Sequence, residues 1–461
     1  MTSCGGNGGG SCQSLCHETK YDELLPQPQP AAQEDDTRDR LGSKGDQLLC
    51  SKCGEEKSAW SGLCLACFRS SLYGKFKLAV TSNAMISPSD KVLVAFSGGP
   101  ASRVALQFTH ELQCKSLKNW DASKSQGLPV FGVGVAFVDE SSVSPNSSNV
   151  VSNIFEEINS IVSEIAPAQK TLHVMAIESL FCKDFDDGRR CLNELLDGIT
   201  DVTGREDFTQ SLRMLTLQKI ALDNRYTKLL LGSCTSKMAR VIISATVKGQ
   251  GFSLPADLQY VDARWEVPVV LPLRDCLAQE LAMLCHLDGL KTIQLFNRPS
   301  GINSLVSSFV ARLQEENPSR ERTIVRTGEK LKSFSFNKFT QDGYYDFLPS
   351  IIRSKFQNIK YKESKPKTFC PICGSPLSDS EWQHLQDVEG MCQTKIEMFA
   401  SQCCRTCRFQ IIPKDRSSLE KFYLLLPSLI TNRIKDQGCA DQSLLREQIE
   451  EFLINEDDDS R

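Results

Sequence analysis

Lys91-Val92-Leu93-Val94-Ala95-Phe96-Ser97-Gly98-Gly99-Pro100-Ala101-Ser102 is the stretch on which the fold turns. Its first six residues form a short, almost continuous apolar run, the pattern of a strand covered on both faces. Ser97-Gly98-Gly99 then turns the chain, and Pro100 suits a first helical turn because it has no N–H to leave unpaired. Residues 101–113 read as helix. In such a strand–turn–helix unit the two glycines let a ligand approach the backbone. The helix start offers N–H groups and a positive dipole end to phosphate. Alone, the turn is a weak signal.

The chain around it repeats the alternation. Pro129 to Val138, Thr171 to Ile177, Lys228 to Gly232 and Val267 to Leu273 read as strands, while residues 149–165 and 207–225 read as helices. Val150, Ile154, Ile158, Ile161 and Ile165 fall at helical spacing. Short apolar strands separated by helices predict an α/β fold, a parallel sheet with helices on both faces, over residues 76–300.

Cysteine usage bounds the class. The 461 residues hold 20 cysteines and 5 histidines. A disulfide-rich secreted chain is typically short and starts with a basic and then apolar leader. Met1-Thr2-Ser3-Cys4 opens no such segment, and the longest mostly apolar run, Leu128 to Val138, is 11 residues with two glycines. That is too short to span a bilayer. The expectation is a protein of a reducing compartment, without a membrane segment, whose cysteines hold metal.

Two clusters have the spacing for it. Cys50-x2-Cys53 and Cys64-x2-Cys67 are separated by ten residues, and Cys370-x2-Cys373 and Cys404-x2-Cys407 by thirty. Paired CxxC knuckles direct four thiolates at one tetrahedral ion, a closed set suited to structure rather than catalysis. The segment between the first pair has Trp60 as its only aromatic, so zinc would replace a missing core. In the second cluster Cys403 or Cys392 can stand in for Cys404. The remaining body cysteines, Cys114, Cys182, Cys191, Cys234, Cys276 and Cys285, read as small buried hydrophobes. Cys4, Cys12, Cys16 and His17 show no ligand spacing.

Charge divides the chain further. Residues 1–46 carry 4 basic and 8 acidic groups, and residues 441–461 carry 2 and 8, so the middle is basic. The expected plan is a disordered tail (1–46), a zinc knuckle pair (47–75), the α/β domain (76–300), a helical and basic/aromatic region (301–367), a zinc ribbon (368–415) and a helical segment with an acidic tail (416–461). Residues 319–367 hold 12 Lys/Arg against 5 Asp/Glu, interleaved with Phe334, Phe336, Phe339, Tyr344 and Tyr345. That mixture suits unstacked bases and phosphates of RNA. It equally suits a small aromatic core.

With a CxxC pair before the Ser-Gly-Gly turn and another far after it, residues 48–410 resemble the PP-loop ATP pyrophosphatases that thiolate tRNA. The resemblance implies Ser-Gly-Gly-x-Asp-Ser for ATP. Ser97, Gly98, Gly99 and Ser102 match, and Ala101 stands at the aspartate. It implies Gly-His-Asn-x-Asp-Asp after a strand, where this chain has Gly232-Ser233-Cys234-Thr235-Ser236-Lys237. It also implies catalytic cysteines, yet 207–225 contains none and Leu295-Phe296-Asn297-Arg298 occupies the later position. Scaffold kept and chemistry emptied is the pattern of the non-catalytic second-subunit family of the cytosolic tRNA 2-thiolation complex. Membership implies a cytoplasmic heterodimer with a catalytic thiouridylase that acts on the wobble uridine of tRNAs for Lys, Glu and Gln. Sulfur would come from a thiocarboxylated ubiquitin-like carrier, which this subunit would meet only indirectly. The expected cofactors are two structural zinc ions and no iron–sulfur cluster, with no catalytic residue. ATP stays open, since backbone contacts can outlive a lost aspartate. Two alternatives stand beside it: a zinc-finger RNA or protein adaptor, and an active ATP-dependent thiouridylase.

Overall fold

In the computed structural model, the described residues run from 49 to 434, apart from 123–128, 144–147, 166–169, 182–184, 294–300, 332–333, 335–368, 379, 382 and 384–393. The expected disordered tail and acidic terminus, Cys182, Cys392, Leu295–Arg298 and most of the basic/aromatic region lie outside them.

The chain enters α1 (Leu65–Ser82), β1 (Lys91–Ala95), α2 (Pro100–Ala122), β2 (Gly132–Asp139), α3 (Ser148–Ser163) and β3 (Thr171–Ala176). It continues through α4 (Phe185–Asp197), α5 (Val202–Asp223), β4 (Lys228–Leu231), α6 (Thr235–Val247), α7 (Leu254–Asp257), β5 (Val261–Asp262), β6 (Val269–Val270) and α8 (Ala278–Leu287). The helices α9 (Gly301–Glu316), α10 (Ser319–Gly328), α11 (Lys395–Gln402), α12 (Arg405–Gln410) and α13 (Arg416–Leu425) complete the described order.

Six strands form one sheet in the order β3-β2-β1-β4-β6-β5, parallel except for the β5 edge. Val92, Leu93 and Val94 of β1 are all fully buried. Val92 and Val94 join a core built with Phe68, Leu72 and Phe76 of α1, with Val104 and Phe108 of α2, and with Leu281 of α8. Leu93 joins the opposite layer with Ile220 of α5, Ala239 of α6 and Val306 of α9. Burial on both faces is what the unbroken apolar run required.

The last strand departs from the expectation. Of Val267 to Leu273 only Val269 and Val270 pair in the sheet. The Gln218 side chain explains the late start: its Nε2 donates to Val267 O at 2.9 Å, and Val267 N donates to its Oε1 at 3.0 Å. A primary amide here replaces a neighbouring strand.

A third core involves α5, through Phe208, Leu212 and Leu215. They pack with Phe399, Phe422 and the sulfurs of Cys370, Cys404 and Cys407, so the second cysteine cluster and the α/β body share apolar interior. No helix among the described residues is long and apolar enough to cross a membrane.

Candidate metal centres and the phosphate-loop turn

Each cysteine cluster is built by the same local rules. After the first CxxC a glycine at positive φ closes the knuckle: Gly54 (φ 70°) donates to Cys50 O, and Gly374 (φ 69°) to Cys370 O, both at 2.8 Å. A glycine tolerates this left-handed backbone at no steric cost. The second CxxC opens a helix. Cys64 caps α1 and Cys404 caps α12, each sulfur accepting from the N–H three residues on at 3.5 Å. The cap aims sulfur inward and fixes the next ligand one turn away.

Cys50, Cys53, Cys64 and Cys67 converge, as do Cys370, Cys373, Cys404 and Cys407, with the sulfurs in each group within 4.8 Å of one another. An ion bound by thiolates at about 2.3 Å in a tetrahedron separates the sulfurs by about 3.8 Å. Cys53–Cys64 measures 3.8 Å and Cys373–Cys404 3.7 Å. Those gaps are far beyond a disulfide bond. The two groups can therefore bind metal ions. Cys403 is fully buried beside the second group but is not one of its four converging sulfurs.

The electrostatics point the same way. N–H groups of Cys64 and Cys53 lower the Cys50 thiol to about 6. Cys64 gains from the Cys67 N–H, yet burial and its neighbours Glu56, Cys67 and Cys50 push it up to about 12. In the second group burial opposes ionisation of Cys370, but hydrogen bonds from Cys373, Cys403, Cys404 and Cys407 hold it well below the thiol range. Cys404 and Cys407 are driven upward, chiefly by Cys370. Cys50 and Cys370 ionise readily while Cys64 and Cys67, and Cys404 and Cys407, resist it, a conflict that a bound cation removes.

In the Ser97-Gly98-Gly99 turn the two serine hydroxyls and the Gly98 carbonyl find partners within the protein. Gly98 sits at φ 78°, its carbonyl accepts from Ile293 N at 2.9 Å, and an added Cβ would lie 2.9 Å from Ile293 Cβ. Ser102 Oγ donates to Gly99 O at 2.9 Å and lies 3.2 Å from Ser97 N and 3.3 Å from Ser97 Oγ. Gly232 abuts the same helix start, where a Cβ would meet Ser102 N at 2.7 Å and Ala101 O at 2.8 Å. In the following residues, Thr235 Oγ1 donates to Arg274 O at 2.7 Å and Ser236 Oγ to Glu321 Oε2 at 2.6 Å. No carboxylate lies in either stretch to hold a magnesium ion.

Among the other cysteines, Cys234, Cys276 and Cys285 are buried as expected. Burial raises Cys276 to about 12 and Cys285 to about 11, so both stay thiols. Cys114 and Cys191 depart from the expectation, being half-exposed. Of the basic/aromatic region the described part is α10 with its flank. There Arg320 pairs with Glu316, Arg322 with Glu280 at 2.9 Å, and Phe334 meets Phe252 edge-on at 5.3 Å between centroids.

Fold and sites define a class: a doubly covered, mostly parallel α/β protein with a phosphate-loop turn emptied of acidic groups and a four-cysteine centre toward each end. A sequence model described as cytoplasmic tRNA 2-thiolation protein 2 matches residues 301–398. A protein of that name from Oryza sativa subsp. indica is 56% identical over 428 residues, covering 91% of this chain and 92% of its own. One from Arabidopsis thaliana is 47% identical over 97% of this chain and 98% of its own. A Xenopus laevis form is 21% identical over 92% and 98%. Among solved structures, the U34-tRNA thiolase NcsA from Methanococcus maripaludis with its 4Fe-4S cluster aligns with a TM-score of 0.47 and 17% identity, over 64% of this chain and 92% of that one. The chain belongs to the cytoplasmic tRNA 2-thiolation protein 2 family.

Proposed function

We propose that this chain is the non-catalytic subunit of a cytosolic complex that installs 2-thiouridine at the wobble position of tRNAs for Lys, Glu and Gln. It pairs with a catalytic thiouridylase, which receives sulfur from a thiocarboxylated ubiquitin-like carrier. The chain supplies architecture and tRNA contact, with the basic residues of 319–367 as the contact region. Cys50, Cys53, Cys64 and Cys67 hold one structural zinc ion, and Cys370, Cys373, Cys404 and Cys407 hold another. Ser97, Gly98, Gly99 and Ser102 form a packed turn that no longer serves ATP, and no residue of the chain carries the chemistry.

The observation that supports this reading most is the turn itself. Its hydroxyls bond one another and its own carbonyl, while the acidic positions downstream have become Ser236, whose hydroxyl donates to Glu321, and Lys237. An α/β body keeps its fold when only ligand-touching groups change, because function resides in the site.

Thionucleoside analysis of tRNA from cells deleted for the protein is the test. Wobble 2-thiouridine should vanish, return with the wild-type chain and with Ser97→Ala, and stay absent with Cys370→Ala plus Cys373→Ala. Normal 2-thiouridine after deletion would move the protein to the adaptor class. Pyrophosphate release by the isolated chain on tRNA would make it an enzyme. Metal analysis of purified chain should give about two zinc per molecule, one per four-thiolate set.

A further inference from the structure

Arg433, beyond the end of α13, reaches back to the second cysteine group. Its Nη1 donates to Pro371 O at 3.4 Å, inside the Cys370-x2-Cys373 knuckle. Its guanidinium carbon lies 5.1 Å from the centre of the Trp265 ring, within cation–π range. Trp265, in the connection from β5 to β6, meets the same knuckle at its closing glycine. A Cβ added to Gly374 would lie 3.6 Å from the Trp265 Cη2. The indole also packs against both the third core and the layer that holds Leu93, so the body of the protein fixes its position. A guanidinium thus lies between a ring carried by the sheet and the backbone of the knuckle.

The surrounding charges explain why a cation belongs there. Burial disfavours the guanidinium's charge, and what opposes burial is Cys370 and Cys373 first, then Glu266. Glu266 is exposed, so water screens it, whereas Cys370 is fully buried and Cys373 half-buried. Among the described residues no carboxylate forms an ion pair with Arg433. Four thiolates around one zinc ion carry a net charge of about −2. An anion of that kind inside a core is costly unless a countercharge is held beside it. Arginine suits the task because its planar cation stays protonated, is weakly hydrated and stacks on an indole. Arg408 is a further cation nearby, but it acts on Cys403, which is not among the four converging sulfurs. At the first cluster water serves instead, since Cys53 and residues 51–57 are exposed.

We propose that Arg433 is the countercharge of the second metal centre, held in place by Trp265, and that it sets how long this centre keeps its ion. The inference rests on the zinc reading of Cys370, Cys373, Cys404 and Cys407. When zinc leaves, the sulfurs take up protons from water and the buried anion disappears. Arg433 stabilises the loaded, anionic state and does nothing comparable for neutral thiols. Removing its charge therefore speeds release without touching a ligand. Because those sulfurs share their core with α5, the same contact ties ion retention to the α/β body. Arg433 binds no metal itself; it is a positioning residue.

The test loads the full chain with zinc and counts the bound metal first. A chain that holds no zinc would sink the zinc reading itself, before any rate is measured. Release to excess pyridylazoresorcinol should then show two phases, and Cys50→Ala with Cys53→Ala should remove the faster one. Arg433→Gln keeps a planar donor for Pro371 O but not the charge, and should speed the slow phase about tenfold. Arg433→Met should match it, while Arg433→Lys, which keeps the charge, should stay close to wild type. Zinc that is present and leaves Arg433→Gln at the wild-type rate would overturn the countercharge. So would equal acceleration in Arg433→Lys and Arg433→Gln, which would make the contact one of shape. Trp265→Leu should speed release in the wild-type chain and add little in Arg433→Gln. Fully additive effects would remove the indole from the account. Circular dichroism checks the fold of each variant, and the comparison of Arg433→Gln with Arg433→Lys still decides if Arg433→Met misfolds.

Discussion

The two cysteine clusters are local twins in different settings. Both use a positive-φ glycine after the first CxxC and a helix-capping cysteine in the second. Around the first, residues 51–57 are exposed and so is Cys53. What anchors that segment is α1, through Phe68, Leu72 and Phe76 in the sheet-side core and ion pairs from Arg69 to Asp288 and Lys75 to Glu280. In the second cluster Cys370, Cys404 and Cys407 are themselves interior residues that touch the same core as Phe208 and Leu212 of α5. The same ion-binding geometry can thus clip a loop in one place and organise a core in another.

Removing each ion should separate these roles. The largest effect belongs to Cys370→Ala with Cys373→Ala. A structural zinc contributes on the order of 10–16 kcal/mol in small domains, comparable to the whole stability of a protein. Thermal unfolding of that variant should lose its cooperative transition, and a midpoint equal to wild type would erase the contrast. Cys50→Ala with Cys53→Ala should halve the bound zinc and open the 49–64 segment to protease. The main transition should survive, because the anchors of α1 do not involve the ion. Loss of the main transition there would make the clusters equivalent.

Glycines sharpen the comparison at smaller scale. A Cβ on Gly204 of α5 would overlap the Gln410 carbonyl at the end of α12. Gly204→Ala should cost about 1–3 kcal/mol by overpacking, read from denaturant midpoints. Gly54 has open space around it and only its φ of 70° to lose. Gly54→Ala should cost about 1 kcal/mol, and the order of the two should not reverse.

The smallest effect is a cap. Asp415 accepts from Ser418 N at 3.0 Å at the start of α13, whose Phe422 enters the shared core. That N–H, with the Ser418 hydroxyl, lowers its carboxyl below the ordinary value. A depressed carboxyl stabilises the fold above its unfolded pKa and loses that contribution as pH falls through the folded one. Asp415→Ala should therefore lower the midpoint slightly at neutral pH, with the gap closing in acid. A gap that persists at low pH would trace the cap to something other than its charge.

Much of this was legible in sequence, for reasons that differ by element. The β1 run and its Ser-Gly-Gly turn were readable because burial on both faces leaves an uninterrupted apolar signature. The two four-cysteine groups were readable because knuckle geometry fixes the spacing within each pair, and the structure brings those eight sulfurs together in two sets. It also selects Cys404 over Cys403 as the converging sulfur, a choice that rests on which residue caps α12. The short β6 was not legible, since its neighbour over Val267 is a side-chain amide 49 positions away. Nor was the shared third core. Helix α5 buries Phe208 and Leu212 on one side and Ile220 and Ala221 on another, and periodicity alone does not say what covers each.

Gly232 has a consequence for how degenerate sites are read. Of the stretch that follows β4 it alone matches the nucleotide-binding pattern, and its position is dictated by the backbone of Ala101 and Ser102 pressing against it. A motif of this kind carries two messages, one written by the ligand and one by the chain's own path through space. When the ligand is no longer a constraint, only the second continues to be enforced. A surviving motif glycine therefore testifies to shape and is silent on activity, and a search that scores it as half a catalytic signature will keep mistaking scaffolds for enzymes.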